Sequence, residues 1–102
     1  MSDTIRFTIY CGLAVGSDMS PSTIRRSREL VYRFADENLQ GFTITEGIGR
    51  WGGKNEPTTI VTFITDKATD ITKVNSFCHS YKWNNHQESV LYTEEKVSAR
   101  FY

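Results

Sequence analysis

The chain has 102 residues, 12 basic and 12 acidic side chains, and a formal net charge of zero. That length holds one compact domain, residues 1–102, and leaves no room for a second sizeable core. The balanced charge argues against a dedicated nucleic-acid binder relying on phosphate neutralisation, but it is compatible with a small anionic ligand.

Residues 5–13, IRFTIYCGL, alternate: Ile5, Phe7, Ile9 and Cys11 point one way, Arg6, Thr8 and Tyr10 the other, which predicts a half-buried strand. The polar run 14-AVGSDMSPS-22 reads as a loop. Ser20 then Pro21 form a helix start, with a capping hydroxyl and proline at the first helical position. Ile24, Val31, Ala35 and Leu39, supported by Leu30 and Phe34, supply the apolar stripe, and Gly41 follows as a stop. Two β-rich runs, about 42–50 and 58–65, flank a glycine-rich segment with Gly52 and Gly53 at its turn. A second helix starts near Thr69 or Asp70, carries Ile71, Val74, Cys78 and Tyr81 on its apolar face, and ends at Asn84 and Asn85. Residues 88–102 read as strand in both halves, with Glu94, Glu95 and Lys96 marking a turn or bulge.

The order β-α-β-β-α-β, with right-handed crossovers, predicts an α+β, ferredoxin-like domain: a four-stranded antiparallel sheet with two helices on one face. The third strand is apolar on both faces, with Ile60 and Ile64 on one and Val61 and Phe63 on the other. Tyr10, Tyr92 and Tyr102 add to the uncovered side, depending on register. Such a face predicts a homo-oligomer packed through its open sheets. No apolar run approaches a membrane span, and Cys11 and Cys78 form no disulfide framework, so no membrane partner and a cytoplasmic location are expected.

Familiar catalytic sets are absent: there is no GxSxG, HExxH or Walker loop. His79 and His86 do not make a chelating pair, so a structural or surface role is expected for both, with no metal and no cofactor. The run 47-GIGRWG-52 matches G-x-G-x-x-G but precedes no helix, which rejects a dinucleotide-binding reading. Gly47 and Gly49 thin a strand for a close approach or simply relieve twist. Around them stand Glu46, Arg50, Trp51 and Glu56. Carboxylates beside aromatic faces suit a cationic ligand, whereas exposed glutamates at a hairpin tip are otherwise merely solvated. A ferredoxin-like sheet can also stack RNA bases, and Phe7, Tyr10 and Phe63 are aromatic, but the third strand lacks the basic-Gly-aromatic pattern of that class.

The segments 9-IYCGL-13, 41-GFTITEGIGRW-51 and 56-EPTTIVTFI-64 resemble small phage and bacterial proteins of the PII-like trimeric ferredoxin fold, among them the phage S-adenosylmethionine (SAM) lyases. The resemblance implies a trimer with SAM, or a SAM derivative such as a SAM–nucleotide conjugate, between subunits. There the substrate carboxylate attacks its own γ-carbon, releasing methylthioadenosine and homoserine lactone. It also implies that Glu56 is the essential acidic residue and that the backbone of Cys11, Gly12 and Leu13 meets the nucleotide. Tyr10, Glu46, Arg50 and Trp51 join the expected site through chemistry and proximity instead. Arg25, Arg26 and Arg28 are either a phosphate-facing group or a solvated helix face. A non-catalytic PII-like nucleotide-binding or regulatory oligomer is the alternative. The ending 86-HQESVLYTEEKVSARF-101 also resembles a family of small bacterial proteins, a likeness that implies no activity.

Overall fold

The computed structural model describes residues 4–100. Strand β1 (Thr4–Gly12), helix α1 (Pro21–Asn38), strands β2 (Thr43–Trp51) and β3 (Lys54–Thr65), helix α2 (Ile71–Asn84) and strand β4 (Leu91–Val97) follow in order. A single 3₁₀ turn, Ala68–Asp70, leads into α2. The sheet runs β2-β3-β1-β4 with every neighbouring pair antiparallel, the ferredoxin-like order expected from the sequence.

Both helices cover one face of this sheet. Phe7, Ile9 and Cys11 of β1 and Val61 and Phe63 of β3 meet Val31, Phe34 and Ala35 of α1 and Val74, Phe77 and Tyr81 of α2. The centre of the α2 stripe is Phe77, not Cys78, which is only partly buried. Either neighbour satisfies the helical period, and the larger apolar ring takes the buried position. The α1 stripe carries one polar intruder, Ser27, with no exposed surface. At the start of α1, Ser20 has the extended cap conformation with proline next, yet its hydroxyl makes no capping bond. Asp18 organises this corner instead, accepting from the Ser20 N–H at 2.9 Å and the Thr23 hydroxyl at 2.7 Å. Those bonds hold its carboxyl below the usual range, Thr23 contributing most.

The hairpin turn is Gly52–Gly53, with φ of 54° and 78°, between paired Trp51 and Lys54. Both turn positions lie in the left-handed region that glycine enters without steric cost. Strand β3 therefore begins at Lys54, earlier than the expected residue 58, and takes Pro57 into the strand. The proline is tolerated because its missing N–H falls on the side where β1 is ending. There only its carbonyl is used, accepting from the Leu13 N–H at 3.0 Å.

The expected bulge at Glu94–Lys96 is absent. Strand β4 runs straight through these residues, opposite Phe7, Arg6 and Ile5. As an edge strand it accommodates charge, and Glu95 accepts from Arg6 Nε at 3.0 Å. Tyr92 pairs with Ile9 and packs on Phe7, so it belongs to the helix-covered face rather than the open one. Tyr102 lies outside the described residues. Phe7 and Phe63 stack beneath the helices, leaving Tyr10 alone of the three aromatics considered for base stacking on the open face. That face keeps Ile60 and Leu91 beside Tyr10 and Ile64 opposite Arg6, and Ile64 and Leu91 are 39% and 54% exposed. Among the described residues, no helix is long and apolar enough to cross a membrane.

Candidate functional site

A cleft exists because β1 stops before its neighbour does. The last pair between β1 and β3 is Gly12 with Thr58, while β2 and β3 continue as a two-stranded ribbon to Trp51 and Lys54. On the other side, β4 joins β1 only at Leu91, opposite Tyr10. The space beyond the end of β1 is a cleft of about 670 Å³, within the range of small-molecule sites. Tyr10, Gly12 and Ala14 form its base, and Gly49, Arg50, Trp51, Glu56 and Thr58 come from the ribbon. The segment from His86 to Ser89, with Leu91, closes the far side.

Glu56 stands at the junction of these walls. Register places it opposite Gly49 on the ribbon, on the same sheet face as Gly12. Its carboxylate lies against the Gly12 α-carbon so closely that a β-carbon there would sit 2.7 Å from both oxygens. Oε2 accepts from the Ala14 N–H at 3.1 Å. No donor among the described residues reaches Oε1, so one oxygen is anchored and the other is available to a ligand. Trp51, 72% exposed, offers an aromatic face across the opening. Arg50, also in the lining, donates from Nη1 to Asn55 at 2.7 Å. Strand alternation turns Arg50 to the opposite ribbon face from Gly49, beside its register partner Asn55, and it borders the cleft at the ribbon's end.

The structure thus gathers Tyr10, Gly12, Arg50, Trp51 and Glu56, and it separates Glu46 from them. Glu46 pairs with Thr59 and faces the helices, accepting from the Thr59 hydroxyl at 2.9 Å and from Arg28 Nε at 3.1 Å. The cause is the period of two along a strand, which puts Glu46 and Gly49 on opposite faces. Cys11 and Leu13 also have fully buried side chains outside the cleft lining. Burial pushes the Cys11 thiol well above the ordinary range, with Cys78 nearby adding to the shift, and raises Cys78 to about 11. Both are neutral thiols near pH 7 and therefore poor nucleophiles. Arg25 and Arg28 border a separate cleft on α1 with Glu29 and Tyr32, away from Glu56.

Two parts of the site escape the sequence reading. One is the wall from His86 to Ser89. It begins with His86 in the left-handed region at φ 52° and is tied back by the Gln87 N–H donating to the Lys82 carbonyl at 3.0 Å. The Asn84–Asn85 helix stop signals a reversal here but not its position beside β1. The other is a set of polar side chains around the exit of β1. Tyr81 donates its hydroxyl to the Gly12 carbonyl. Ser27 donates to the Leu13 carbonyl at 2.7 Å, and Gln87 Nε2 to the Ala14 carbonyl at 2.8 Å. Asn85 braces the group, donating to both the Ser27 and Tyr81 oxygens at 3.0 Å. Ser27 could be suspected from sequence as the polar residue one turn after Ile24 in an otherwise apolar stripe.

No family model matches the chain, and no curated protein does. Solved structures do. A phage SAM lyase in complex with S-methyl-5'-thioadenosine is similar over 100% of this chain and 95% of that one, with a TM-score of 0.59 and 16% identity. A phage SAM lyase in the apo state gives a TM-score of 0.62 at 16% identity, covering 98% of this chain and 93% of the other. A dimeric ferredoxin-like protein of unknown function from Thermobifida fusca gives 0.55 at 7% identity, covering 95% and 93%. At such identities the likeness shows the fold.

Proposed function

We propose that this protein is a lyase of SAM or of a SAM derivative, cleaving it to methylthioadenosine, or the matching nucleotide, and homoserine lactone. The observation that carries the reading is Glu56: a carboxylate with one oxygen anchored on the Ala14 N–H and the other free in a cleft walled by Tyr10 and Trp51. The likeness in fold to phage SAM lyases supports the same reading.

The reaction asks little of the protein chemically. The substrate carboxylate attacks its γ-carbon, a C–O bond forms as the C–S bond breaks, and the bonding pair goes to sulfur, neutralising the sulfonium. No enzymic nucleophile or base is required. What is required is a folded substrate with carboxylate and γ-carbon in contact, which is catalysis by positioning. Glu56 Oε1 suits the amino group or a ribose hydroxyl as an anchor. A carboxylate at the sulfonium would stabilise the ground-state charge that vanishes in the transition state, so that placement is disfavoured. Trp51 and Tyr10 offer faces for the adenine or for the sulfonium by cation–π attraction. Arg50 at the rim matches a carboxylate or a phosphate of a conjugate. The backbone of Cys11, Gly12 and Leu13 enters the proposal as the floor rather than as free donors, since the Leu13 N–H is already bonded to Pro57.

Purified protein incubated with SAM, and separately with a SAM–adenylate conjugate, should release methylthioadenosine or its nucleotide on chromatography. Tight binding of SAM without product would replace the lyase by the non-catalytic binding module, and neither binding nor product would remove the site. The working form is proposed to be a homo-oligomer, a trimer, in the cytoplasm. Tyr10, Ile60 and Leu91 leave an apolar patch on the open sheet next to the cleft, with Ile64 further along the same face. Light scattering at micromolar concentration should give three times the 11.7 kDa chain mass, and a monomer there would exclude a site completed by a neighbour.

A further inference from the structure

The backbone of residues 12–14 leaves the sheet with three carbonyls that the ladder cannot satisfy. Leu13 and Pro57 form a hydrogen-bonding pair in which the Leu13 N–H reaches the Pro57 carbonyl at 3.0 Å. Such antiparallel pairs ordinarily exchange two bonds, but proline has no N–H to return. The Leu13 carbonyl is therefore left over. The Gly12 carbonyl is directed to the β4 side, and β4 joins only at Leu91, opposite Tyr10, too early to reach it. Ala14 has already left the sheet. Buried backbone carbonyls demand partners, and here each finds a different side chain: Tyr81 of α2, Ser27 of α1, and Gln87 after α2.

We infer that Tyr81, Ser27 and Gln87, braced by Asn85, are positioning residues that hold the β1 exit so that the Ala14 N–H and the Gly12 α-carbon together fix the Glu56 carboxylate. Tyr81 and Ser27 touch no ligand themselves, having no exposed surface. The connection is short in space. Tyr81 grips the carbonyl of the very glycine on which Glu56 rests, and Gln87 grips the carbonyl of the residue whose N–H Glu56 accepts. Burial, chiefly, keeps the Tyr81 phenol protonated at any physiological pH, so it remains a donor throughout. Gln87 also belongs to the cleft wall, so one side chain couples the floor of the site to its far side.

The geometric part stands by itself, while its consequence for turnover rests on the lyase reading. The test is an NMR pH titration of labelled protein that follows the Ala14 amide proton, whose shift reports the charge of the carboxylate it binds. Wild type should show a step as Glu56 ionises, and Glu56→Gln should lose that step. In Tyr81→Phe, which removes one oxygen, the step should shrink by more than about twofold. In the same variant, kcat for methylthioadenosine release should fall roughly tenfold to hundredfold with KM little changed, because the acceptor is misplaced rather than removed. A folded Tyr81→Phe protein with a full-size Ala14 step overturns the inference. Should Tyr81→Phe not fold, Gln87→Met, which alters a half-buried side chain, is held to the Ala14 amide outcome in the ligand-free protein. If wild type releases no methylthioadenosine, the lyase reading falls and the amide titration alone decides the positioning role.

Discussion

Glu56→Gln should lower methylthioadenosine release by at least about a hundredfold while leaving the fold and the oligomer in place. The substitution keeps size and shape, and the amide oxygen can still accept from the Ala14 N–H, so little strain enters the floor of the cleft. What disappears is the negative charge on the free oxygen, and with it the charge-assisted bond that anchors the substrate. The measurement is a single-turnover rate with saturating SAM, paired with thermal unfolding of both proteins. A Glu56→Gln variant as fast as wild type would remove Glu56 from the site, whatever the fate of the reaction.

Gly12→Ala should be nearly as damaging for a different reason. The β-carbon would stand 2.7 Å from both Glu56 oxygens and 2.8 Å from the carboxyl carbon, far inside contact distance. The backbone at Gly12 is ordinary strand, so alanine costs nothing in conformation and the clash falls on the carboxylate. As the far end of a flexible side chain, that group yields: it swings away and leaves the Ala14 N–H. The protein should fold, and turnover should fall roughly a hundredfold. Since both changes act through one carboxylate, Gly12→Ala combined with Glu56→Gln should be scarcely worse than either alone, a non-additivity that a double-mutant cycle measures directly. Additive losses would mean that Gly12 serves the ligand by itself.

Much of this architecture is legible in the sequence because each element carries its own period. The alternation of Ile5, Phe7, Ile9 and Cys11 and the helical stripe through Val31 and Ala35 each specify an element and its buried face. The location of Glu56 beside Gly12 is harder, because it joins residues far apart in the chain through the β1–β3 register, and no local signal encodes that. The misplacement of Glu46 is different: the information is present. A two-residue turn at Gly52–Gly53 forces Trp51 opposite Lys54, and counting back puts Glu46 opposite Thr59 and Glu56 opposite Gly49. The strands alternate, so the two carboxylates must part. Starting β3 at about residue 58, past Pro57, hides this count. The polar set around Tyr81 is illegible for a plainer reason. A tyrosine and a serine on apolar stripes look like ordinary core, and only the unmet carbonyls of β1 explain them.

Pro57 itself has a consequence for how the domain closes as it folds. An antiparallel pair of strands zips rung by rung, and nothing in the side chains of Leu13 or Ala14 would stop β1 from zipping further along the ribbon. The absent hydrogen on Pro57 works against it, because that rung offers half its usual return, and the turn between Val15 and Asp18 takes the chain aside. The chain is then free to turn aside at Ala14 and to be gathered by the helices. A covalent feature of one residue thus helps to terminate a growing ladder at a fixed length, and the unzipped remainder of the ribbon becomes the wall of a cavity instead of sheet.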